Sequence, residues 1–301
     1  MFHTCKQICD VVTGVALDPA NGISAKCACV LPFYRLGTVQ QLLNKGKPGF
    51  THCLSAGTQP CLLFQHAVDM AKDVLAGLEC MHRKKIVHRD IKPSNICVER
   101  LPSTDPPRLR YIIIDLGVAV SMQIQTQSEQ KTKTKFAALV RQLSTESTES
   151  ESGSPQSQAS GVGFTGQFTS LASLKVPLGT VLFMSLEHID DDVAVDARAD
   201  VFSFGVTMYT CLCGRFPFVQ PRAGEEREQL ALRLVMAYAS TNEADPLDIP
   251  CDSTSDDTDV PVQLARKLAE IVMTSLRKLR SERFLSASAM RAQIQRVDRC
   301  D

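Results

Sequence analysis

The sequence predicts an α+β fold in which helices predominate, and three features of its pattern support this. Two apolar runs, 8–17 and 27–33, flank a Pro/Asn/Gly turn signal at 18–22 and predict a β-hairpin. Several later segments repeat apolar residues every three or four positions, which is typical of helices. A dense polar stretch at 88–95 separates two apolar segments and indicates a loop between buried elements.

Composition places the chain among globular proteins. Of its 301 residues, 44% are apolar and 22% charged, and 33 basic residues balance 33 acidic ones. This neutrality argues against a nucleic acid or an anionic membrane as the main partner. The twelve cysteines are scattered and form no CxxC pair. Because residues 1–10 show no apolar signal core, we expect a cytoplasmic protein, with the nucleus as an open alternative.

The remaining elements follow from periodicity. A polar, Ser/Thr/Gln/Glu-rich segment at about 121–175 predicts a disordered insertion. Apolar residues at 96–98 and 111–114 predict two strands joined by a Pro-rich turn. Helices are expected at 66–85, 200–213, 225–238 and 262–279, followed by a last helix capped by Ser286.

The polar stretch at 88–95 holds the chemistry. Phosphoryl transfer needs a carboxylate facing the attacking hydroxyl, a cation near the phosphoryl group and an oxygen ligand for Mg²⁺. Asp90, Lys92 and Asn95 supply these three types in that order. The alternative is a polar connection with a chance aspartate, but eight positions fit the catalytic pattern together.

The stretch His88-Arg89-Asp90-Ile91-Lys92-Pro93-Ser94-Asn95 resembles the catalytic loop of the eukaryotic-type protein kinases, and Lys-Pro-x-Asn looks like their serine/threonine branch. The resemblance runs from about residue 28 to 297. It implies that Asp90 is the catalytic base, that Lys92 neutralises phosphoryl charge and that Asn95 binds metal. Arg89 is then a candidate receptor for a phosphate on the activation segment.

Further motifs follow in the family's order. Asp115-Leu116-Gly117 resembles the metal-binding Asp-Phe-Gly motif with Leu116 in place of Phe, so Asp115 is the second expected metal ligand. Thr180 matches the threonine that contacts the catalytic Asp and Lys. The resemblance further implies that Glu187 pairs with a buried arginine near the end of the chain, for which Arg283 is a candidate, and that Asp200 caps the catalytic-loop backbone.

The resemblance divides the chain into an N-lobe remnant with the hinge, 1–35, and a kinase C-lobe, 36–297. The fold expected is therefore protein-kinase-like, a mostly α-helical C-lobe with only a remnant of the β-rich N-lobe. Adenine would contact the hinge at Pro32, Phe33 and Tyr34, and Cys97 is a further expected nucleotide-binding residue. An ordinary hairpin remains the alternative for residues 1–35.

The N-terminal part departs from the family pattern. No G-x-G precedes the hinge, the first glutamate is Glu79, and Lys26 lies too close to the hinge to be the strand lysine. We therefore expect a serine/threonine kinase region whose transfer is impaired in this chain. The alternative is a pseudokinase or protein-binding module. The implied ligands and partners are ATP, Mg²⁺, a protein substrate and an upstream kinase acting on the activation segment.

Overall fold

The computed structural model describes residues 5–8, 13–16, 27–30, 32–45, 64–102, 108–121, 178–185, 187, 195–239, 243–247 and 262–298. The predicted insertion at about 121–175 lies outside the described residues except for Ser121. Lys26 also lies outside them. Within the described part, the fold is helix-rich with a few short strands, as the sequence predicts for a kinase-like C-lobe with a reduced N-lobe.

The predicted N-terminal hairpin is confirmed, with one correction. Strand β1, Thr13–Ala16, pairs antiparallel with β2, Cys27–Val30, with Thr13 opposite Val30. Ile8, which the sequence placed at the start of the first strand, does not join this hairpin. It is buried and forms an isolated parallel bridge with Ile113 instead. An apolar side chain at Ile8 thus packs on the helical lobe, where more apolar surface is available than beside a two-stranded ribbon.

Two helices precede the loop at 88–95. Helix α1, Val39–Asn44, starts at Thr38, whose hydroxyl accepts the Gln41 amide while the Gln41 side chain accepts the Thr38 amide. This reciprocal capping box satisfies two donors that a helix start leaves unpaired. Helix α2, Phe64–Arg83, is amphipathic and buries one face along its whole length. Its end delivers the chain to the loop at 88–95.

Short strands flank the loop and hold it. Strand β3, Ile86–Val87, pairs antiparallel with β6, Val120–Ser121. Strand β4, Ile96–Arg100, pairs antiparallel with β5, Leu109–Ile113, with Ile96 opposite Ile113. The predicted strand pair is confirmed. Both strands extend further than the apolar runs, because Glu99 and Arg110 continue the ladder and form an ion pair, so the connecting turn is shorter than expected.

The helical lobe is built around one buried helix. The described helices after β6 are α3, Leu178–Val181; α4, Ala197–Cys213; α5, Arg227–Ala239; α6, Val262–Ser275; and α7, Ala287–Asp298. Helix α4 is buried on nearly every face, as its apolar sequence predicts. Gly205 permits this packing, since a Cβ there would lie 2.0 Å from Ser275 Oγ. Ser286 accepts the Ala289 amide and caps α7 as expected.

The predicted ion pair between Glu187 and Arg283 is confirmed and deeply buried. Arg283 Nη2 lies 3.2 Å from Glu187 Oε2. The same guanidinium donates to the carbonyl oxygens of Arg277 and Lys278 and lies over the Phe202 ring, 4.6 Å from its centroid. The pair therefore ties the segment after α3 to the turn between α6 and α7.

Among the described helices, none is both long and apolar enough to cross a membrane.

Candidate active site

Asp200, at the start of α4, caps the backbone of the loop at 88–95 as predicted. Its Oδ2 accepts the His88 amide at 2.8 Å and its Oδ1 accepts the Arg89 amide at 2.9 Å. Oδ2 also lies 2.8 Å from Nε2 of His82, the penultimate residue of α2. One buried carboxylate thus joins α2, the loop and α4 at a single point.

The charge of Asp200 is stabilised by these contacts. Burial raises the pKa of the Asp200 carboxyl, but the hydrogen bond and charge of His82 and the contacts with His88 outweigh burial and bring that pKa below its ordinary value. Since the folded-state pKa is lowered, this carboxylate stabilises the fold above its unfolded pKa. Its contribution is lost as the pH falls towards the folded-state pKa.

His88 connects the loop to the segment that carries Asp115. Its Nδ1 accepts the Asp90 amide at 3.2 Å, which assigns the ring proton to Nε2. Nε2 then donates to the Ile114 carbonyl oxygen at 3.2 Å. Arg89, between His88 and Asp90, has a φ of 70°, a left-handed conformation that is uncommon outside glycine. The Asp200 bonds to the amides of His88 and Arg89 hold the backbone at Arg89 in this conformation.

Four predicted site residues meet in one hydrogen-bonded cluster. The Lys92 ammonium donates to Asp90 Oδ2 at 2.8 Å and to Thr180 Oγ1 at 2.6 Å. The Asn95 amide nitrogen donates to both the carbonyl oxygen and Oδ2 of Asp90, each at 2.9 Å. Residues 90 and 180, far apart in sequence, are therefore linked through Lys92. Asn95 and Thr180 are buried, and Asp90 and Lys92 are partly buried.

The Asp90 carboxylate uses only one of its two oxygens in this cluster. Oδ2 accepts from Lys92 and Asn95, whereas Oδ1 is buried and has no hydrogen-bond partner among the described residues. A buried carboxylate oxygen without a donor is unfavourable by about 1–3 kcal/mol or more. Such an atom fits a site that receives a donor from a bound substrate, and a hydroxyl is a donor of the required kind.

The second expected metal ligand lies beside this cluster. The Ile114 amide donates to the Asn95 carbonyl oxygen at 3.0 Å, so the residue before Asp115 is bonded to the end of the loop. Asp115 has a φ of 65°, and its Oδ1 accepts the Gly117 amide. A Cβ at Gly117 would lie 3.0 Å from that oxygen. The tight turn thus fixes the direction of an exposed carboxylate.

The donor set fits Mg²⁺. Magnesium prefers oxygen ligands and is usually bound by one or two carboxylates together with substrate phosphates. Asn95 uses its amide nitrogen on Asp90, which leaves its amide oxygen as the acceptor, and Asp115 offers a carboxylate. The described residues contain no group of three His, Cys, Asp or Glu side chains suited to a dedicated metal cage.

The expected nucleotide-binding residues lie just before α1 and on β4. Pro32 and Phe33 are exposed, with Phe33 89% exposed, and the Tyr34 carbonyl oxygen accepts the Gly37 amide at 2.9 Å. Thr38 forms an isolated antiparallel bridge with Cys97, and Val98 donates to the Gly37 carbonyl. Residues 37 and 38, which follow the expected hinge, are therefore joined to β4 at Cys97 and Val98, and Cys97 is buried.

Two residues of α2, His82 and Asp73, make contacts that the sequence does not predict. The bond of His82 to Asp200 joins residues far apart in the chain, so a local pattern does not predict it. Asp73 is buried on α2 and its Oδ2 accepts the Tyr111 amide at 3.0 Å, which satisfies a β5 donor. Burial raises the pKa of the Asp73 carboxyl despite this bond. The sequence does give one signal for this contact, because Asp73 is a charged residue on the otherwise apolar face of α2.

Known proteins are similar to this chain over the same region. The protein kinase domain model matches residues 28–146. Serine/threonine-protein kinase PknB of Mycobacterium leprae is 24% identical over 233 residues, which is 77% of this chain and 26% of PknB. Serine/threonine-protein kinase PknL of Mycobacterium tuberculosis is 26% identical over 261 residues, 87% of this chain and 44% of PknL. Serine/threonine-protein kinase pkn2 of Myxococcus xanthus is 27% identical over 155 residues, 52% of this chain and 13% of pkn2.

These matches agree with the motifs and with the helix-rich fold. The protein kinase domain model matches the part of the chain that holds the loop at 88–95 and the Asp115-Leu116-Gly117 turn, and the three relatives named above are all serine/threonine kinases. It spans 26% of the length of PknB and 44% of the length of PknL, so it corresponds to part of each relative.

Proposed function

We propose that the chain is the catalytic region of a serine/threonine protein kinase, which transfers the γ-phosphate of ATP to Ser or Thr hydroxyls of a protein. The observation that carries this proposal is the Asp90 carboxylate. One of its oxygens is held by Lys92 and Asn95, and the other is buried without a partner among the described residues. The neutral net charge of the chain is our reason for proposing a protein substrate rather than a nucleic acid.

In this proposal Asp90 orients the substrate hydroxyl. Asp90 Oδ1 accepts the hydroxyl proton while the hydroxyl oxygen attacks the γ-phosphorus of ATP. The bond from that phosphorus to the bridging oxygen breaks, and ADP leaves. Lys92, held by Thr180, stabilises negative charge on the transferring phosphoryl group. Because Lys92 already lies against Asp90, little reorganisation is needed when the substrate arrives.

Asn95 and Asp115 would hold Mg²⁺, which supplies neutralisation of the phosphate charge when it is bound. The Asn95 amide nitrogen donates to Asp90, so a change at Asn95 affects both the metal ligand and the base. The adenine would contact Pro32, Phe33, Tyr34 and Cys97.

We further propose an upstream kinase that phosphorylates the segment before Gly179, with Arg89 as the phosphate receptor. The cytoplasmic location stays a prediction.

A second candidate is a kinase-like binding module without phosphoryl transfer. It is favoured by the lack of a G-x-G ahead of Pro32 and of any glutamate before Glu79 in the sequence. The Gly-rich loop and the Lys–Glu pair position the nucleotide in protein kinases. We therefore propose that the 301 residues alone transfer phosphate slowly. A fusion protein, called here the completed chain, separates the two candidates. It carries the Gly-rich loop, strand lysine and helix glutamate of a related kinase ahead of residue 1.

Binding of Mg²⁺ and ATP by the completed chain tests the ligand assignment. Asp115→Asn removes one carboxylate charge from the expected metal site, so we expect ATP affinity in the presence of Mg²⁺ to fall about tenfold or more, as for the loss of about 1.4 kcal/mol. Asp245→Asn, which changes an exposed carboxylate paired with Arg215, is the matched control. Calorimetric titration measures both. Equal affinity of Asp115→Asn and the parent would contradict the role of Asp115.

A further inference from the structure

A short N-terminal segment, residues 5–8, lies on the helical lobe rather than on the hairpin that follows it. The Ile113 amide donates to the Gln7 carbonyl oxygen at 2.8 Å, and Ile8 is buried beside β5. A Cβ at Gly77 of α2 would lie 3.2 Å from the same Gln7 oxygen. The segment is therefore held between α2 and β5 by one backbone bond and by close packing.

The segment brings two cysteines together. Cys5 is half-buried and Cys80, on α2, is buried, and both are free thiols. Cys5 packs against the small apolar cluster formed by Ile8, Cys80 and Met81. Cys80 follows Gly77 by three residues on α2, so it lies on the helix face that Gln7 contacts. The two cysteines thus pack in one cluster from two different elements, which is the arrangement that a disulfide between them requires.

We propose that Cys5 and Cys80 form a reversible disulfide that fastens residues 5–8 to α2 when a peroxide is the oxidant. The partly exposed Cys5 reacts first. Its thiolate sulfur attacks one oxygen of hydrogen peroxide, and the O–O bond breaks. That oxygen stays on the sulfur as a sulfenic acid, and the other oxygen departs as water. The Cys80 sulfur then attacks the Cys5 sulfur, and the hydroxyl leaves as a second water. Two thiols are oxidised and one peroxide is reduced.

The surroundings of Cys5 decide how readily the first step occurs. Burial raises the pKa of the Cys5 thiol, and the neighbouring Cys80 raises it further, whereas the Gln7 amide and the Arg83 charge lower it. The net effect is a raised pKa, so most of Cys5 is protonated at neutral pH. We therefore expect slow formation of the bond and a cross-link that persists once formed, rather than a fast sensor.

The cross-link would act close to the proposed metal ligand. Leu116 and Ala119, on the segment that follows Asp115, pack against the same cluster as Cys5 and Cys80. A disulfide there would fix one wall of the packing around Leu116 and would close a long loop, which restricts the unfolded chain. The link thus couples the oxidation state of residues 5–8 to the order of the Asp115-Leu116-Gly117 turn.

Peptide mapping of the whole chain tests the proposal. The chain is treated with hydrogen peroxide at pH 8, free thiols are alkylated, and trypsin releases the peptides 1–6 and 73–83, each with one cysteine. We expect these two peptides to be joined in the parent and in the control variant Cys213→Ser, which changes a partly buried cysteine of α4. The joined species is expected to be absent from Cys5→Ser and Cys80→Ala and to disappear with dithiothreitol.

Thermal unfolding and hydrogen exchange give a second readout. The oxidised parent is expected to melt about 5 °C or more above the reduced parent, and its Ile113 amide is expected to exchange more slowly. Cys5→Ser, a change at a partly exposed position, should stay folded and show no shift on oxidation. The proposal is overturned if Cys5 accumulates as sulfenic acid without joining peptide 73–83. It is also overturned if Cys5→Ser shows the same shift as the parent.

Discussion

Asp90→Asn is expected to lower the phosphoryl-transfer rate of the completed chain by about a thousandfold, within the range of about 10²–10⁴ for general-base groups. The amide keeps the shape of the carboxylate and can still accept a hydrogen bond from Lys92, so the cluster stays intact. It cannot take up the substrate proton at Oδ1, the atom that has no partner among the described residues. The measurement is the initial rate at saturating ATP and peptide substrate.

The control for this change is Asp245→Asn, which alters an exposed carboxylate far along the chain from the loop. Its rate should stay within about twofold of the parent, because an exposed ion pair contributes little. The melting temperature of Asp90→Asn should also match that of the parent. If Asp90→Asn retains more than a tenth of the parent rate, Asp90 is not the catalytic base.

Arg283→Ala is expected to destabilise the fold by about 3–5 kcal/mol, because it leaves the buried Glu187 carboxylate without its partner. It also removes donors from two backbone carbonyls and the contact with the Phe202 ring. The unfolding free energy from urea titration measures the loss. An effect of this size is a large part of the stability of a typical domain, so expression at low temperature is advisable.

Arg277→Ala is the matched control for Arg283→Ala. It lies in the same turn region, but its ion pair with Glu243 is about half exposed on both sides and 3.6 Å long. We expect a change of about 1 kcal/mol or less from its loss. Should Arg283→Ala cost no more than Arg277→Ala, the buried pair does not tie the segment after α3 to the turn between α6 and α7 in the way described.

Much of the catalytic loop was predictable from sequence because its residues are close together in the chain. Asp90, Lys92 and Asn95 span six positions, and their chemical types and spacing are enough to indicate their expected roles. Two other sets of contacts join residues that are distant in the chain: Asp200 with the loop backbone, and Glu187 with Arg283. Only the family resemblance predicts them. The structure contains both sets of bonds.

Other features depend on packing that a local pattern does not encode. Ile8 looks like the first residue of a strand, yet it lies against β5 because the helical lobe offers it an apolar surface. His82 and Asp73 are polar residues on a buried helix face, and their partners come from α4 and β5. Helical spacing gives the direction of such a side chain but not the element that it meets.

The most direct test of the central claim is to identify the amino acid that the completed chain phosphorylates. The chain is incubated with Mg²⁺, γ-labelled ATP and a mixture of peptides that differ only in carrying Ser, Thr or Tyr, with Asp90→Asn as the reference. The account predicts label on the Ser and Thr peptides, well above the Asp90→Asn level. No label above that level, in a completed chain that is folded and binds ATP with Mg²⁺, or label on the Tyr peptide alone, would contradict it.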